Sequence, residues 1–326
     1  MGSLKDIADL TGVSVSTVSR ALSGNPAISE KTRKLVENVV ADLNYSVKRP
    51  EMVKTIGVIV PEIISNYYAE LFQSIESCLS AKGYCTIIGV SAFAESNILR
   101  IIEVMNRQNV DGIICSDLTT DAIDNSNIIE AIYRLQAPVV LISESGVEAE
   151  KCDCIRINYE SGIKKAIYHL LEKGHNKIGV VGDKPPAARL KTILRLLSEA
   201  GVTIPDNMIK IGDNRFELVG YEQMKLLLTE PERPTAVIAL YDQIAIGALK
   251  AIDEEGLRVP EDIAIMGYDN IAIDEYLPKK LTTITNPVAE MGRIATRILF
   301  NRIDSIDEPA TQHVLLQSEF IIRETT

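Results

Sequence analysis

The side chains with the clearest chemical use in this chain of 326 residues lie in one short stretch, Val15-Ser16-Thr17-Val18-Ser19-Arg20. Three hydroxyls and a guanidinium stand within six residues, and on a helix Val15, Ser16, Thr17, Ser19 and Arg20 would face outward. An arginine can fork onto a guanine edge, and hydroxyls reach phosphates or bases. Lys5, Lys31, Lys48 and Arg49 add cations suited to phosphate oxygens. Other reactive residue types do not assemble. Cysteines stand at 78, 85, 115, 152 and 154; the Cys152–Cys154 pair is too tight for a zinc knuckle and has no second pair, so structural thiols are expected. There are three histidines, no two close in sequence, so no metal site is expected; His169 and His175 are read as holding turns and helix ends. The chain has no phosphate loop, no Gly-x-Gly-x-x-Gly turn after a strand and no Gly-x-Ser-x-Gly elbow, which argues against an enzyme and against a cofactor.

The elements that must carry the first stretch are readable from spacing. Leu4, Ile7, Ala8 and Leu10 fall on or near one face of a first helix. Gly12 ends it where a left-handed turn residue is needed, and Ser14 can cap a second helix that starts at Val15 and turns Val18 and Leu22 back at the first. Small Ala8 allows the close crossing that a helix-turn-helix requires. A third helix is expected over 29–43, capped by Ser29, with Leu35, Val36, Val39, Val40 and Leu43 as its apolar stripe.

Composition sets the scale. A length of 326 residues points to two or three compact units, and 46% hydrophobic with 24% charged residues suits a sizeable core. There is no run of 18 apolar residues, and residues 1–3 lead directly into a polar helix; a cytoplasmic protein with neither membrane span nor secretory signal is the expectation. The net charge of −11 is unevenly spread. Residues 1–50 carry seven basic against five acidic side chains, a net of +2, which leaves −13 for the remainder. An acidic body would stay off a duplex while a mildly basic head approaches it.

From Thr55 onward, short apolar runs alternate with helical periods. Strands are expected at 56–60, 84–90, 111–115 and 138–142, and a second series near 153–157, 177–182, 207–211, 235–239 and 262–267. Such alternation implies parallel sheets covered on both faces, here two doubly wound subdomains. Segments after 282 would cross back to complete both sheets. The fold class is therefore α/β: an all-α helix-turn-helix head on a core of two doubly wound parallel-sheet subdomains. The expected domains are 1–45 for the head, 46–54 for a short connector, 55–154 with 287–314 for one subdomain, and 155–286 with 315–326 for the other. Ligands bind open α/β sheets at the carboxyl ends of their strands, so one cleft would see two sets of ends.

The wording of the head resembles the lactose and purine repressor family of bacterial regulators. The likeness rests on Asp6-Ile7-Ala8, Gly12-Val13-Ser14, Thr17-Val18-Ser19-Arg20, Ile28-Ser29, Thr32-Arg33 and Leu43-Asn44-Tyr45. It continues through Asn158-Tyr159, Gly162, Ala166, His169-Leu170, Gly174-His175 and Ile178, then Asp242-Gln243-Ile244-Ala245-Ile246-Gly247, Val259-Pro260, Gly267-Tyr268-Asp269 and Leu281-Thr282-Thr283-Ile284. The resemblance implies a periplasmic-binding-protein-like core and a repressor that pairs as a homodimer on a near-palindromic operator in double-stranded DNA, with a sugar or related metabolite as effector. It also implies effector contacts at Tyr67, Tyr68, Ser143, Arg189, Phe216, Tyr241 and Asp269, and dimer contacts on the first body helix and at Tyr276 and Leu277. Asp242 is read as a helix cap. A sugar sensor whose head contacts a protein instead of DNA is the alternative.

Two departures from the family pattern stand out. The family's connector carries a hinge helix with a leucine that wedges into the minor groove; here only residues 46–54 join Tyr45 to the first strand, with no leucine and with Pro50 opposing a helix. A short extended connector with Lys48 and Arg49 on phosphate is expected instead. Ser143, Thr192, Ile193 and Tyr241 replace the family's usual residues, so the pocket should be atypical.

Overall fold

A computed structural model describes residues 4–22, 25, 28–42, 53–116, 125–143, 151–184, 187–305 and 310–326. The chain divides into two compact units, residues 1–53 and 54–326. The connector residues 46–52 and Leu43 lie outside the described residues, and so do the expectations placed on them.

The head holds three helices: α1 (Leu4–Thr11), α2 (Val15–Leu22) and α3 (Glu30–Asp42). Ile7, Ala8, Val18, Ala21 and Val36 form its small buried core, with Val13, Leu22, Ile28, Val39 and Val40 packed around it. Leu10 and Leu35 were expected in the apolar faces but are 63% and 46% exposed. A three-helix head this small closes its core with one or two residues per helix, so the flanking leucines fall outside the contact line.

The body opens with β1 (Thr55–Val60), α4 (Asn66–Ala81), β2 (Cys85–Val90), α5 (Glu95–Arg107), β3 (Gly112–Cys115), α6 (Ser126–Tyr133), β4 (Val139–Ser143) and β5 (Asp153–Asn158). It continues with α7 (Tyr159–Glu172), β6 (Ile178–Asp183), α8 (Ala187–Glu199), β7 (Ile209–Gly212), α9 (Phe216–Leu228), β8 (Ala236–Ala239), α10 (Asp242–Glu254) and β9 (Ala264–Met266). After a 3₁₀ turn at Ala272–Tyr276 come β10 (Thr283–Thr285), α11 (Val288–Asp304), β11 (His313–Gln317) and β12 (Glu319–Ile321).

Six parallel strands form the first sheet in the order β11-β5-β4-β3-β1-β2, and four form the second in the order β7-β6-β8-β9. β10 and β12 make an antiparallel ribbon joined to β9 by a Met266–Thr282 bridge. One expectation is corrected here. The strand at 153–158 does not begin the second sheet; it pairs with β4 and β11 inside the first, so the crossing placed at 154 falls within β5 and the one placed at 314 falls within β11. An apolar run buried on both faces says that a strand is central, not which sheet it enters.

Chain order reverses beside β1 in the first sheet and beside β6 in the second. Those reversals leave crevices at the strand ends, the usual ligand position in open α/β sheets. The residues following β1, β6 and β8 therefore fix the cleft.

Candidate functional site

The first candidate surface is the exposed side of α2. Gly12 takes φ +69° and leaves open space where a Cβ would project, so the turn between α1 and α2 is a conformational demand and not a packing one. Ser14 then caps α2: its hydroxyl accepts from the Thr17 N–H at 3.1 Å and lies 2.8 Å from the hydroxyls of Ser16 and Thr17. With Val18 and Ala21 buried, Val15, Ser16, Ser19 and Arg20 are exposed and Thr17 is half-buried against the cap. Lys31 is exposed on α3, which Ser29 caps through the Thr32 N–H at 3.2 Å. The Lys5 side chain, Lys48 and Arg49 lie outside the described residues.

The second candidate site lies at the strand ends of the body. Arg189 projects from α8 and is 6% exposed. Its Nη1 donates to the Leu240 carbonyl at 2.6 Å, its guanidinium stacks 3.7 Å over the Tyr268 ring, and its Nη2 lies 3.9 Å from Asp269 Oδ1. A carbonyl, a ring face and a carboxylate thus hold the fork flat. Tyr67 and Asp269 line one cavity of about 310 Å³ with Asn66, Glu70, Gln73 and Ile271. Tyr68 meets Tyr67 edge-on at 5.0 Å in the first subdomain's core. Ser143 is buried at the end of β4.

Phe216 begins α9, Tyr241 immediately precedes α10, and the two rings meet at 6.0 Å in a T-shaped contact. Around them stand four residues that the sequence reading missed: Glu62 after β1, Phe93 after β2, Asp183 closing β6, and Arg215. The Tyr241 hydroxyl donates to Asp183 Oδ2. Arg215 places Nε 2.7 Å from the same oxygen, but its N–H points off the line, so that contact is ionic and not a directed hydrogen bond. Its Nη2 donates to Glu62 Oε1 at 2.9 Å, joining the two subdomains across the cleft. Burial pushes the Asp183 carboxyl up against the opposing pull of Tyr241 and Arg215, and burial with the neighbouring Asp183 raises the Tyr241 hydroxyl. Burial works against the charge on Arg215, but Tyr241, Asp183 and Glu62 outweigh it and raise that pKa. The one available signal was an aspartate directly after the apolar run Ile178-Gly179-Val180-Val181-Gly182.

Asp242, expected to cap α10, is its first residue and turns elsewhere: it accepts from the Thr283 hydroxyl at 2.6 Å and the Ile271 N–H at 3.1 Å. It thereby pins the loop that carries Asp269. His169 bonds the Thr326 hydroxyl and His175 the Thr235 hydroxyl, both at 3.0 Å. Tyr276 is 81% exposed, while Leu277 packs on the second subdomain's core. Cys152 and Cys154 are buried, and burial pushes each thiol up to about 11, which leaves them unreactive. Among the described residues no group of three or more His, Cys, Asp or Glu is placed to hold a metal. Among them, too, no helix is long and apolar enough to cross a membrane.

Known proteins match this chain along nearly its whole length. Residues 3–47 match the profile described as bacterial regulatory proteins, lacI family, and residues 167–326 match a periplasmic binding protein-like domain. The HTH-type transcriptional repressor PurR of Vibrio atlanticus is 32% identical over 94% of this chain and 93% of its own. The ribose operon repressor of Escherichia coli is 31% identical over 99% of both chains. Among solved structures, a LacI family regulator from Enterococcus faecium with bound ribose is 30% identical with a TM-score of 0.70, covering 84% of this chain and 98% of its own. The Lac repressor dimer bound to operator aligns with a TM-score of 0.73 at 25% identity, covering 100% and 99%.

Proposed function

The chain belongs to the LacI family of bacterial regulatory proteins and is an effector-controlled DNA-binding transcriptional repressor, not an enzyme; from that premise we propose that α2 is its reading element and the strand-end cleft its effector site. The observation that carries the first part is the exposed face of a capped α2, where Val15, Ser16, Ser19 and Arg20 stand clear of the head's core. A helix so presented enters a major groove with its first residues on base edges. Thr17 supports the cap as well as the contact, and Lys5, Lys31, Lys48 and Arg49 supply phosphate contacts.

In the cleft, Arg189 and Asp269 offer a fork of donors and a carboxylate to ligand hydroxyls or amides, with Tyr67, Phe216 and Tyr241 as ring surfaces and Ser143 and Tyr68 beside them. The ribose in the Enterococcus faecium structure supports a sugar or related metabolite as effector. The dimer of the Lac repressor complex supports a homodimer here, with contacts on α4 and at Tyr276 and Leu277, acting in the cytoplasm on a near-palindrome. Effector binding would change the angle between the subdomains and with it the arrangement available to two heads. A preference of about 1–3 kcal/mol for one state suffices.

Arg20→Ala tests the reading element. The variant should keep its fold and dimer yet lose about 1–3 kcal/mol of discrimination between specific and unrelated duplexes in a gel-shift titration. Unchanged selectivity would remove α2 from the account.

A further inference from the structure

Two carboxylates and two aromatic rings converge on a single guanidinium in the cleft. Arg215 lies 2.7 Å from Asp183 and 2.9 Å from Glu62, and its Cζ stands 4.7 Å from the Phe216 ring centre and 5.7 Å from that of Phe93. We propose that Glu62, Asp183, Phe93 and Phe216 form a cation-binding site that Arg215 fills as an internal ligand, and that the exchanging ligand is a guanidino or primary-amine compound. For its regulatory meaning the inference rests on reading the cleft as the effector site; the binding itself does not.

Four observations carry it. The site's two carboxylates sit where the sheets reverse chain order, Glu62 just after β1 and Asp183 closing β6. Its charge is in excess: two carboxylates meet one guanidinium, which favours a cation and repels phosphates and carboxylates. The rings are placed at a cost, since Phe93 and Phe216 both take φ +59°, where a bulky side chain is strained. Finally, Asp183 is 1% exposed, and its Oδ1 is buried without a hydrogen-bond partner. Tethered at its own Cα, Arg215 brings only Nε to Oδ2, whereas a free guanidinium can fork onto both carboxylate oxygens.

The occupant is also the loosest member of the group. The Arg215 side chain is 29% exposed, against 12% for Glu62 and 1% for Asp183, so it can swing out while the carboxylates stay. Exchange breaks the Glu62–Arg215 bridge between the subdomains, which couples ligand binding to their separation.

The test is a calorimetric titration of agmatine into the full chain. Arg215→Ala empties the site and should bind agmatine at least about tenfold more tightly than the wild type, whose own arginine competes. Adding Glu62→Gln to that variant should remove about tenfold again, and the neutral analogue 1,4-butanediol should not bind. Should Arg215→Ala prove unfolded, Arg215→Leu retains the apolar stem and must give the same order. No binding to the emptied site, equal affinity with and without Arg215, or indifference to Glu62→Gln overturns the proposal. No DNA takes part, so failure here leaves the repressor reading intact, and failure of DNA binding leaves this site intact.

Discussion

Arg189, a proposed effector contact, is held in place by the Leu240 carbonyl, the Tyr268 ring and Asp269. A fork held this way loses little freedom on binding, and charge-assisted hydrogen bonds contribute about 1.5–3 kcal/mol each. Arg189→Ala should therefore abolish the effector response while basal DNA binding persists; full effector affinity by calorimetry in that variant would place the pocket elsewhere. Asp274 makes a different prediction. It is buried against the Asp242 carboxyl and neither of its oxygens accepts a hydrogen bond; burial raises its pKa to about 6, while burial and the neighbouring Asp274 push Asp242 up too. A carboxyl raised on folding binds more protons folded than unfolded, so its destabilising effect is full above about pH 6 and fades as pH falls toward the ordinary carboxylate range. Asp274→Asn should raise the melting temperature by a few degrees at about pH 7.5, with the gap closing toward about pH 4; a gap independent of pH would contradict the assignment. At this scale Arg189 and Asp269 could be named because the family resemblance implies them, and the structure brings the two within 3.9 Å of each other. Arg215 and Glu62 were not, since charged residues in loops read as solvated until the fold brings them together from 153 positions apart.

The cleft depends on how closely α9 and α10 cross. A Cβ on Gly247 would stand 1.9 Å from the Glu217 carbonyl oxygen, and one on Gly220 would stand 2.0 Å from that of Ile244. Backbone cannot yield as a side-chain tip does, so these glycines set the approach that brings Phe216 and Tyr241 into contact. Gly247→Ala should cost about 1–3 kcal/mol or more and lower the melting temperature while weakening effector binding; an unaffected midpoint in calorimetric unfolding would show that the crossing relaxes freely. Periodicity located β1 to β9 to within a few residues, because apolar runs are local. Sheet membership is not local: β5 follows β4 in the same sheet, and nothing in Asp153-Cys154-Ile155-Arg156-Ile157 distinguishes that from opening a new one. The head's glycine turn and serine cap were equally plain, while the exposure of Leu10 and Leu35 depends on how few residues its core needs.

At the scale of the whole molecule, the division of charge matters more than its total. A body carrying about −13 is repelled by phosphates, so binding must come from the small head, and in the proposed homodimer two heads would convert weak single contacts into useful affinity. On the proposed reading the effector would act by choosing between arrangements of the body, not by touching DNA. The most direct measurement is fluorescence anisotropy of the full-length protein on duplex fragments from the region upstream of its coding sequence, between about 50 and 200 mM salt, with and without candidate metabolites. The account predicts fragment-selective binding whose affinity falls about ten-thousandfold over that range, as roughly eight phosphate contacts, about four per head, require, and which shifts when a cleft ligand is added. Failure to bind any fragment even at the lowest salt, with or without metabolites, would contradict it.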